Sequence, residues 1–203
     1  MHVREADPED AEAVAAVARE SWHAAYGGFL SADAIDATVD EWYDPAGLRR
    51  DIAGDGAFLV AEADASGATD AGGAGTDGGD DDAGDADEGT DADTDDRLLG
   101  FAHAGYSAGA GNVVLRRIYV RPDAWGEGVG TALVRATARR FLADHDRLSA
   151  VVLADNEVGR SFYDSLGFET VGRQTTSLGG EEREERIVAA DLADLADAGG
   201  GAG

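Results

Sequence analysis

Three glycines in five residues, Gly126, Gly128 and Gly130, stand in the segment Arg121-Pro122-Asp123-Ala124-Trp125-Gly126-Glu127-Gly128-Val129-Gly130-Thr131. Glycine removes side chains where a backbone must come close to something else. The segment joins a β-branched run, Val113 to Val120, to an amphipathic run that opens at Gly128. It therefore feeds a helix N-terminus, whose unsatisfied N–H groups and positive dipole end favour a phosphate or pyrophosphate. An anion cradle is one reading of this turn, and a tight turn with no ligand is the other.

Spacing restricts the anion. A Walker A loop needs Gly-Lys-Ser/Thr, and a chain with sixteen basic residues, all arginine, has no lysine to offer. A dinucleotide fingerprint fails too, because Thr131 or Leu133 falls where the third glycine belongs. Further along, Val152-Leu153-Ala154-Asp155-Asn156-Glu157-Val158-Gly159-Arg160-Ser161-Phe162-Tyr163-Asp164-Ser165-Leu166-Gly167-Phe168 sets an asparagine six residues before a Phe-Tyr pair. The pattern x-x-Gly128-x-Gly130 after the Tyr119-Val120 strand end resembles the pyrophosphate-binding motif of the GCN5-related N-acetyltransferase (GNAT) family. The second segment is similar to that family's N-x-x-A-x-x-F-Y-x-x-x-G-F signature, with Gly159 in place of the usual alanine. The resemblance is close from Val113 to Phe168 and loose on either side.

This resemblance implies an α/β (α+β) fold with a central mixed, mostly antiparallel sheet of about seven strands and about four flanking helices. It implies acetyl-CoA as cosubstrate, no metal, and an amine acceptor. The amides of Gly126, Gly128, Val129, Gly130 and Thr131 would hold the CoA pyrophosphate, while Ile118, Tyr119 and Val120 would pair with the pantetheine arm like an added strand. The strands Val113–Val120 and Ser149–Leu153 would splay to make room for it. Asn156, Arg160 and Tyr163 would lie along the cofactor, with Asn156 and Tyr163 as the catalytic pair and Tyr163 protonating the departing thiolate; plain core packing also accounts for Phe162-Tyr163. A backbone amide near Val120 would polarise the carbonyl. Trp125 stands where the family has Arg or Gln, which leaves its side chain's part in phosphate binding open. Val114 stands where many members carry a glutamate, and valine takes no proton. Glu20, His23, Glu62, His103 or a water chain remain as bases. Trp22, His23, Tyr26 and Phe29 fall in the region that lines the acceptor side in related proteins, although aromatic packing explains them equally well.

Chemistry can also be bounded without the family. With no cysteine and no Gly-x-Ser-x-Gly elbow, the chain lacks an acyl-enzyme nucleophile of those kinds, and direct attack of a bound amine on the thioester remains. Such attack needs a neutral amine, a polarised carbonyl and a proton for the thiolate.

The elements that must position these residues follow from periodicity and caps. Val3–Glu5 reads as a strand, and Asp7 caps a helix with Pro8 at its first position that runs to about Trp22. Asp33–Val39 and Ala46–Ile52 read as short helices, and Ala57–Glu62 and Leu98–Ala104 as strands. Val113–Val120 is a strand and Gly128–Ala143 a helix with the stripe Val129, Leu133, Val134, Ala138, Phe141, Leu142. Ser149–Leu153 is a strand, Glu157–Leu166 a helix stopped by Gly167, and Phe168–Val171 and Arg183–Ala190 the last strands. The tail 191–203 is expected to fray.

Between the second and third strands, residues 64–96 contain only Asp, Glu, Ala, Gly, Ser and Thr, with thirteen acids. Such a composition cannot form a core and reads as a solvated, disordered insertion in a hairpin loop, either a tolerated insertion or a contact surface. A single acyltransferase domain over 1–190 surrounds it. The net charge of -26 argues against nucleic acid and anionic membrane as partners. It fits a salt-rich cytoplasm, as in an extreme halophile, where screening shortens to about 3 Å at molar salt; an ordinary acidic protein is the alternative. Acidic residues at the N-terminus and the lack of a long apolar run predict a cytoplasmic protein. A local exception is Asn112 to Tyr163, where eight arginines face six acids and form an expected basic island. A homodimer is compatible with this reading. The expected activity is N-acetyl transfer from acetyl-CoA to a primary amine of a small molecule or protein, and the alternative is a catalytically silent CoA-binding regulatory module.

Overall fold

Local capping starts most of the helices where the sequence predicts. In the computed structural model, which describes residues 1–64, 98–106, 112–178 and 180–197, Asp7 accepts the Glu9 N–H and Asp10 accepts the Asp7 N–H. This reciprocal box closes a 3₁₀ turn over Pro8–Asp10 that runs into α1 (Ala11–Tyr26). Ser31 and Asp44 cap α2 (Ala32–Trp42) and α3 (Pro45–Ile52) in the same way, each accepting a backbone N–H three residues on. The strands are β1 (His2–Glu5), β2 (Ala57–Glu62), β3 (Leu98–Tyr106), β4 (Val113–Val120), β5 (Arg147–Leu153), β6 (Glu169–Leu178) and β7 (Glu181–Asp191). Between and after them lie α4 (Val129–Phe141), α5 (Glu157–Ser165) and α6 (Leu192–Asp197).

All seven strands form one sheet in the order β1-β2-β3-β4-β5-β7-β6. Every neighbouring pair is antiparallel except β4 with β5. This is the mixed, mostly antiparallel seven-stranded sheet expected, with six helices rather than about four among the described residues. On one face Val129, Leu133, Val134 and Phe141 of α4 pack over Leu115, Leu148 and Val188. On the other, Val14, Val17 and Trp22 of α1 pack with Ile35, Val39 and Leu48 over Phe58, Val60 and Phe101. Each fully buried leucine or valine contributes about 1.5–3 kcal/mol, so the two layers clamp the sheet from both sides.

Two expectations change. The tail does not fray from Asp191: Leu192, Leu195 and Ala196 are buried in the α4-side core, because their i, i+3, i+4 spacing gives even a short helix an apolar face. β6 runs on to Leu178, well past Val171. Its polar stretch Arg173–Ser177 has no hydrophobic alternation and is held by ladder bonds to β7. The insertion 64–96, apart from Asp64, and residues 198–203 lie outside the described residues. β2 and β3 on either side pair antiparallel, down to Glu62 opposite Leu98, as expected of a hairpin.

Candidate active site

The parallel pair β4–β5 holds together over only three positions, Val113 with Leu148, Val114 with Ser149 and Leu115 with Ala150. On its other edge β4 shifts register against β3 at the next residue: Leu115 faces Ala104 and Arg117 faces His103, so Arg116 is the extra residue of a bulge. A bulge bends its strand and sharpens its twist, and here it falls where β4 and β5 part. The wedge between them is a cleft of about 390 Å³.

Backbone groups line one wall of that wedge. The Arg121 N–H donates to the Leu99 carbonyl at 2.8 Å and Tyr119 is paired with Phe101, so the odd-numbered residues of this stretch turn their polar groups toward β3. Antiparallel alternation then turns those of Ile118 and Val120 into the cleft. The Val120 carbonyl accepts from Ser21 Oγ and Trp125 Nε1, each at 2.8 Å. Trp125 therefore spends its one N–H pinning the end of β4, which settles how it differs from an Arg or Gln: its indole N–H is already engaged. The Ile118 N–H and C=O and the Val120 N–H remain as a strand edge.

The floor is the start of α4. Gly126 and Gly128 have φ of +84° and +83°, where a side chain would be strained, whereas Gly130 is needed for space. A Cβ at Gly130 would stand 2.9 Å from Phe162 Cε2. The first intrahelical bond of this turn runs from Ala132 to Gly128 at 2.9 Å, which leaves the N–H groups of Val129, Gly130 and Thr131 without helical acceptors beside the cleft. No side chain caps them.

The opposite wall comes from α5 and α1. Asn156 caps α5, its Oδ1 accepting the Gly159 N–H at 2.8 Å. Its Nδ2 reaches the Tyr26 hydroxyl at 3.5 Å. A Cβ at Gly159 would come within 2.6 Å of that Nδ2, so glycine in place of the usual alanine gives the amide room. Burial, with Tyr26 nearby, pushes the Tyr163 hydroxyl well above its ordinary range, and burial pushes Tyr26 up to about 12. Both stay protonated at neutral pH and can donate.

Of the residues predicted from sequence, Ile118, Tyr119, Val120, Trp125, Gly126, Gly128, Val129, Gly130, Thr131, Asn156 and Tyr163 all line the cleft. Arg160 does not, and lies 3.8 Å from Glu157 on the same helix. Ser21, Ala25 and Tyr26 line it as well. Of these only Tyr26 stood in the region marked for the acceptor side, and Ser21 carried no signal in the sequence.

None of the four proposed bases lines the cleft. Glu20 pairs with Arg121, His23 with Asp36 at 2.9 Å, and Glu62 with Arg4, while His103 is buried against Phe58. Four of the eight arginines of the expected basic island pair with acids outside it. Arg117 pairs with Asp51 at 2.8 Å, Arg121 with Glu20 at 2.9 Å, Arg147 with Asp191 at 3.5 Å and Arg140 with Glu5 at 3.7 Å. Among the described residues no group of three or more His, Cys, Asp or Glu is placed to hold a metal ion, and no helix is long and apolar enough to cross a membrane.

Residues 90–170 match the family model described as acetyltransferase (GNAT) domain. No curated protein matches the sequence. Solved structures similar to the chain include a PaiA N-acetyltransferase from Thermoplasma acidophilum in complex with coenzyme A, at 23% identity and a TM-score of 0.67 over 94% of this chain and 98% of that one. A GCN5-related N-acetyltransferase structure from Rhodopseudomonas palustris aligns at 20% identity and a TM-score of 0.64, over 94% of each chain. A ribosomal-protein-alanine N-acetyltransferase from Brucella melitensis aligns at 15% and 0.55, over 94% of this chain and 99% of that one. The chain has the GNAT fold.

Proposed function

We propose that this GNAT-fold chain is an acyl-CoA-dependent N-acyltransferase that moves an acetyl group from acetyl-CoA to a primary amine by direct attack in a ternary complex. The observation that carries this reading is the meeting of three features at one cleft. These are an unpaired strand edge at Ile118 and Val120, a helix N-terminus with free amides at Val129 to Thr131, and a protonated Tyr163. A pantetheine amide chain fits the first, a pyrophosphate the second, and a leaving thiolate the third. The acceptor is an amine of a small molecule or protein.

Val114 in place of the strand glutamate, and the displacement of Glu20, His23, Glu62 and His103 from the cleft, favour a second reading, a silent CoA-binding module. One experiment separates the two. CoA should raise the melting temperature where NAD and ATP do not, by about 2.7 kcal/mol of stability at a hundred times its Kd. Release of free thiol from acetyl-CoA with a mixed amine panel then marks the enzyme. Stabilisation without thiol release on any amine marks the module, and equal stabilisation by NAD removes both.

A further inference from the structure

Among the described residues no Asp or Glu lines the cleft, although the chain holds 42 of them. Arg116 and Arg117 are the only lining side chains that carry a charge at neutral pH. Arg117 is engaged: it pairs with Asp51 at 2.8 Å and lies over the Tyr43 ring. Arg116 is exposed and meets no carboxylate among the described residues. Its Nη2 donates to the Tyr106 carbonyl at 3.3 Å, and residues 107–111, which follow Tyr106, contain no acid.

The sheet sets where that charge stands. A Cβ at Gly105 would lie 3.3 Å from Arg116 Nη2 and 3.4 Å from its Cζ, so glycine lets the guanidinium rest against β3. Ala104 belongs to the α4-side core, and strand alternation turns Gly105 to the α1 face. On β5, Leu148, Ala150 and Val152 belong to the α4-side core, so Ser149 and Val151 turn to the α1 face as well. Val151 is 43% exposed, so this face is open where β4 and β5 part. Val120, beside the first turn of α4, lies four residues further on, about 13 Å along the strand. The α4 amides and Arg116 therefore stand at opposite ends of the cleft, and a pyrophosphate held by the first is out of reach of the second.

We propose that Arg116 is a specificity-determining residue that takes a carboxylate carried by a reactant at the transfer end, either an amine acceptor such as an amino acid or a dicarboxylic acyl group; this rests on the acyl-transfer reading. A guanidinium holds a carboxylate through two parallel, charge-assisted hydrogen bonds. The same cation favours the neutral form of an amine beside it, which is the form that attacks, in a cleft that has no carboxylate base. An ammonium acceptor lacking a carboxylate meets a cation there and no acid. The open α1 face favours the acceptor as the source of the carboxylate.

The test compares amino acids with their amides as acceptors for acetyl-CoA, in the parent and in Arg116→Gln. The amide keeps the amine and replaces only the carboxylate, and its amine is the less basic, so chemistry alone favours the amide. The parent should nevertheless show a kcat/KM at least tenfold higher for the acid. Arg116→Gln should lower that acid-to-amide ratio about 10–100-fold, as for loss of hydrogen bonds to a charged group. A second arm holds the amide as acceptor and compares succinyl-CoA with acetyl-CoA. A preference for succinyl-CoA that Arg116→Gln removes supports the proposal with the acyl group as source. A parent that prefers a carboxylate on neither side overturns it, as does activity confined to acetyl-CoA with amines that lack one. So does an Arg116→Gln that slows acid and amide equally, which marks a merely structural contact with Tyr106. If circular dichroism shows that Arg116→Gln does not fold, the two ratios of the parent decide alone. A parent that releases no thiol with any donor and amine sinks the acyl-transfer reading and this inference together, whereas an active parent indifferent to the carboxylate removes the inference alone.

Discussion

Tyr163 and His103 are both buried, and burial does opposite things for them. Tyr163 is neutral when protonated, so burial keeps its proton on and leaves it a donor at the cleft. Replacing it with Phe keeps the ring that packs against Phe162 and Phe168 and removes only the hydroxyl. Turnover should fall by about 10²–10⁴ while CoA affinity, measured by calorimetry, stays within a few-fold, because the lost interaction belongs to the transition state. A turnover equal to the parent's would take Tyr163 out of the mechanism. His103 is charged when protonated, so burial, aided by the charge of Arg117, lowers it to about 4 from 6.5. Its ring stacks on Phe58, and its Nδ1 has no partner. The unfolded chain takes up this proton below pH 6.5 and the folded chain does so only near 4, so the stability that His103 allows above 6.5 is lost as pH falls through that window. Urea melts at pH 7.5 and 4.5 should differ by about 2 kcal/mol less in His103→Phe than in the parent. An identical difference would show that the ring is solvated.

At the scale of elements, the site exists because two strands stop pairing. β4 and β5 share three residue pairs and then part beside the Arg116 bulge, which opens one edge of β4 directly above the first turn of α4. The contact of Gly130 with Phe162 sets how closely α5 packs on that turn. Gly130→Ala gains up to about 1 kcal/mol of helix propensity but must push Phe162 aside, an overpacking cost of about 1–3 kcal/mol. The net change in melting temperature should therefore be small, while CoA binding weakens tenfold or more because the cleft wall has moved. Thermal shift with and without CoA reads both quantities, and undiminished stabilisation by CoA would show that Phe162 yields without consequence. The motif residues Gly126, Gly128, Gly130, Asn156 and Tyr163 were legible because they fall in two short segments that resemble family motifs, a glycine-rich turn and a helix cap with an aromatic pair about two turns on. Ser21 was not, since α1 is about a hundred residues from β4 and nothing local marks which of its faces will meet Val120, and Tyr26 was marked only as one of four residues that core packing explained equally well.

For the whole molecule, the acidic segment 64–96 carries half the net charge yet offers no large apolar side chain. Its deletion, with a short turn joining β2 to β3, should leave the fold and basal activity intact, since the register from Ala57–Ala104 to Glu62–Leu98 is set within the two strands. Stability should then depend less steeply on salt, because thirteen like charges are gone. Failure to fold on deletion would show that the segment contributes structure. The sequence by itself determined the order of the strands and helices up to β7, the glycine-rich turn, the α5 signature and the charge. Each of these depends on neighbours within a few residues, through periodicity, capping or composition. Only the tertiary structure decided the rest. It paired four arginines of the expected basic island with acids far along the chain, turned the Trp125 N–H to Val120, and docked α6 on α4. It also kept the four candidate bases out of the cleft and brought Tyr26 into it. These are contacts across the sheet between distant segments, and their partners are chosen by packing of whole faces, which no local pattern encodes.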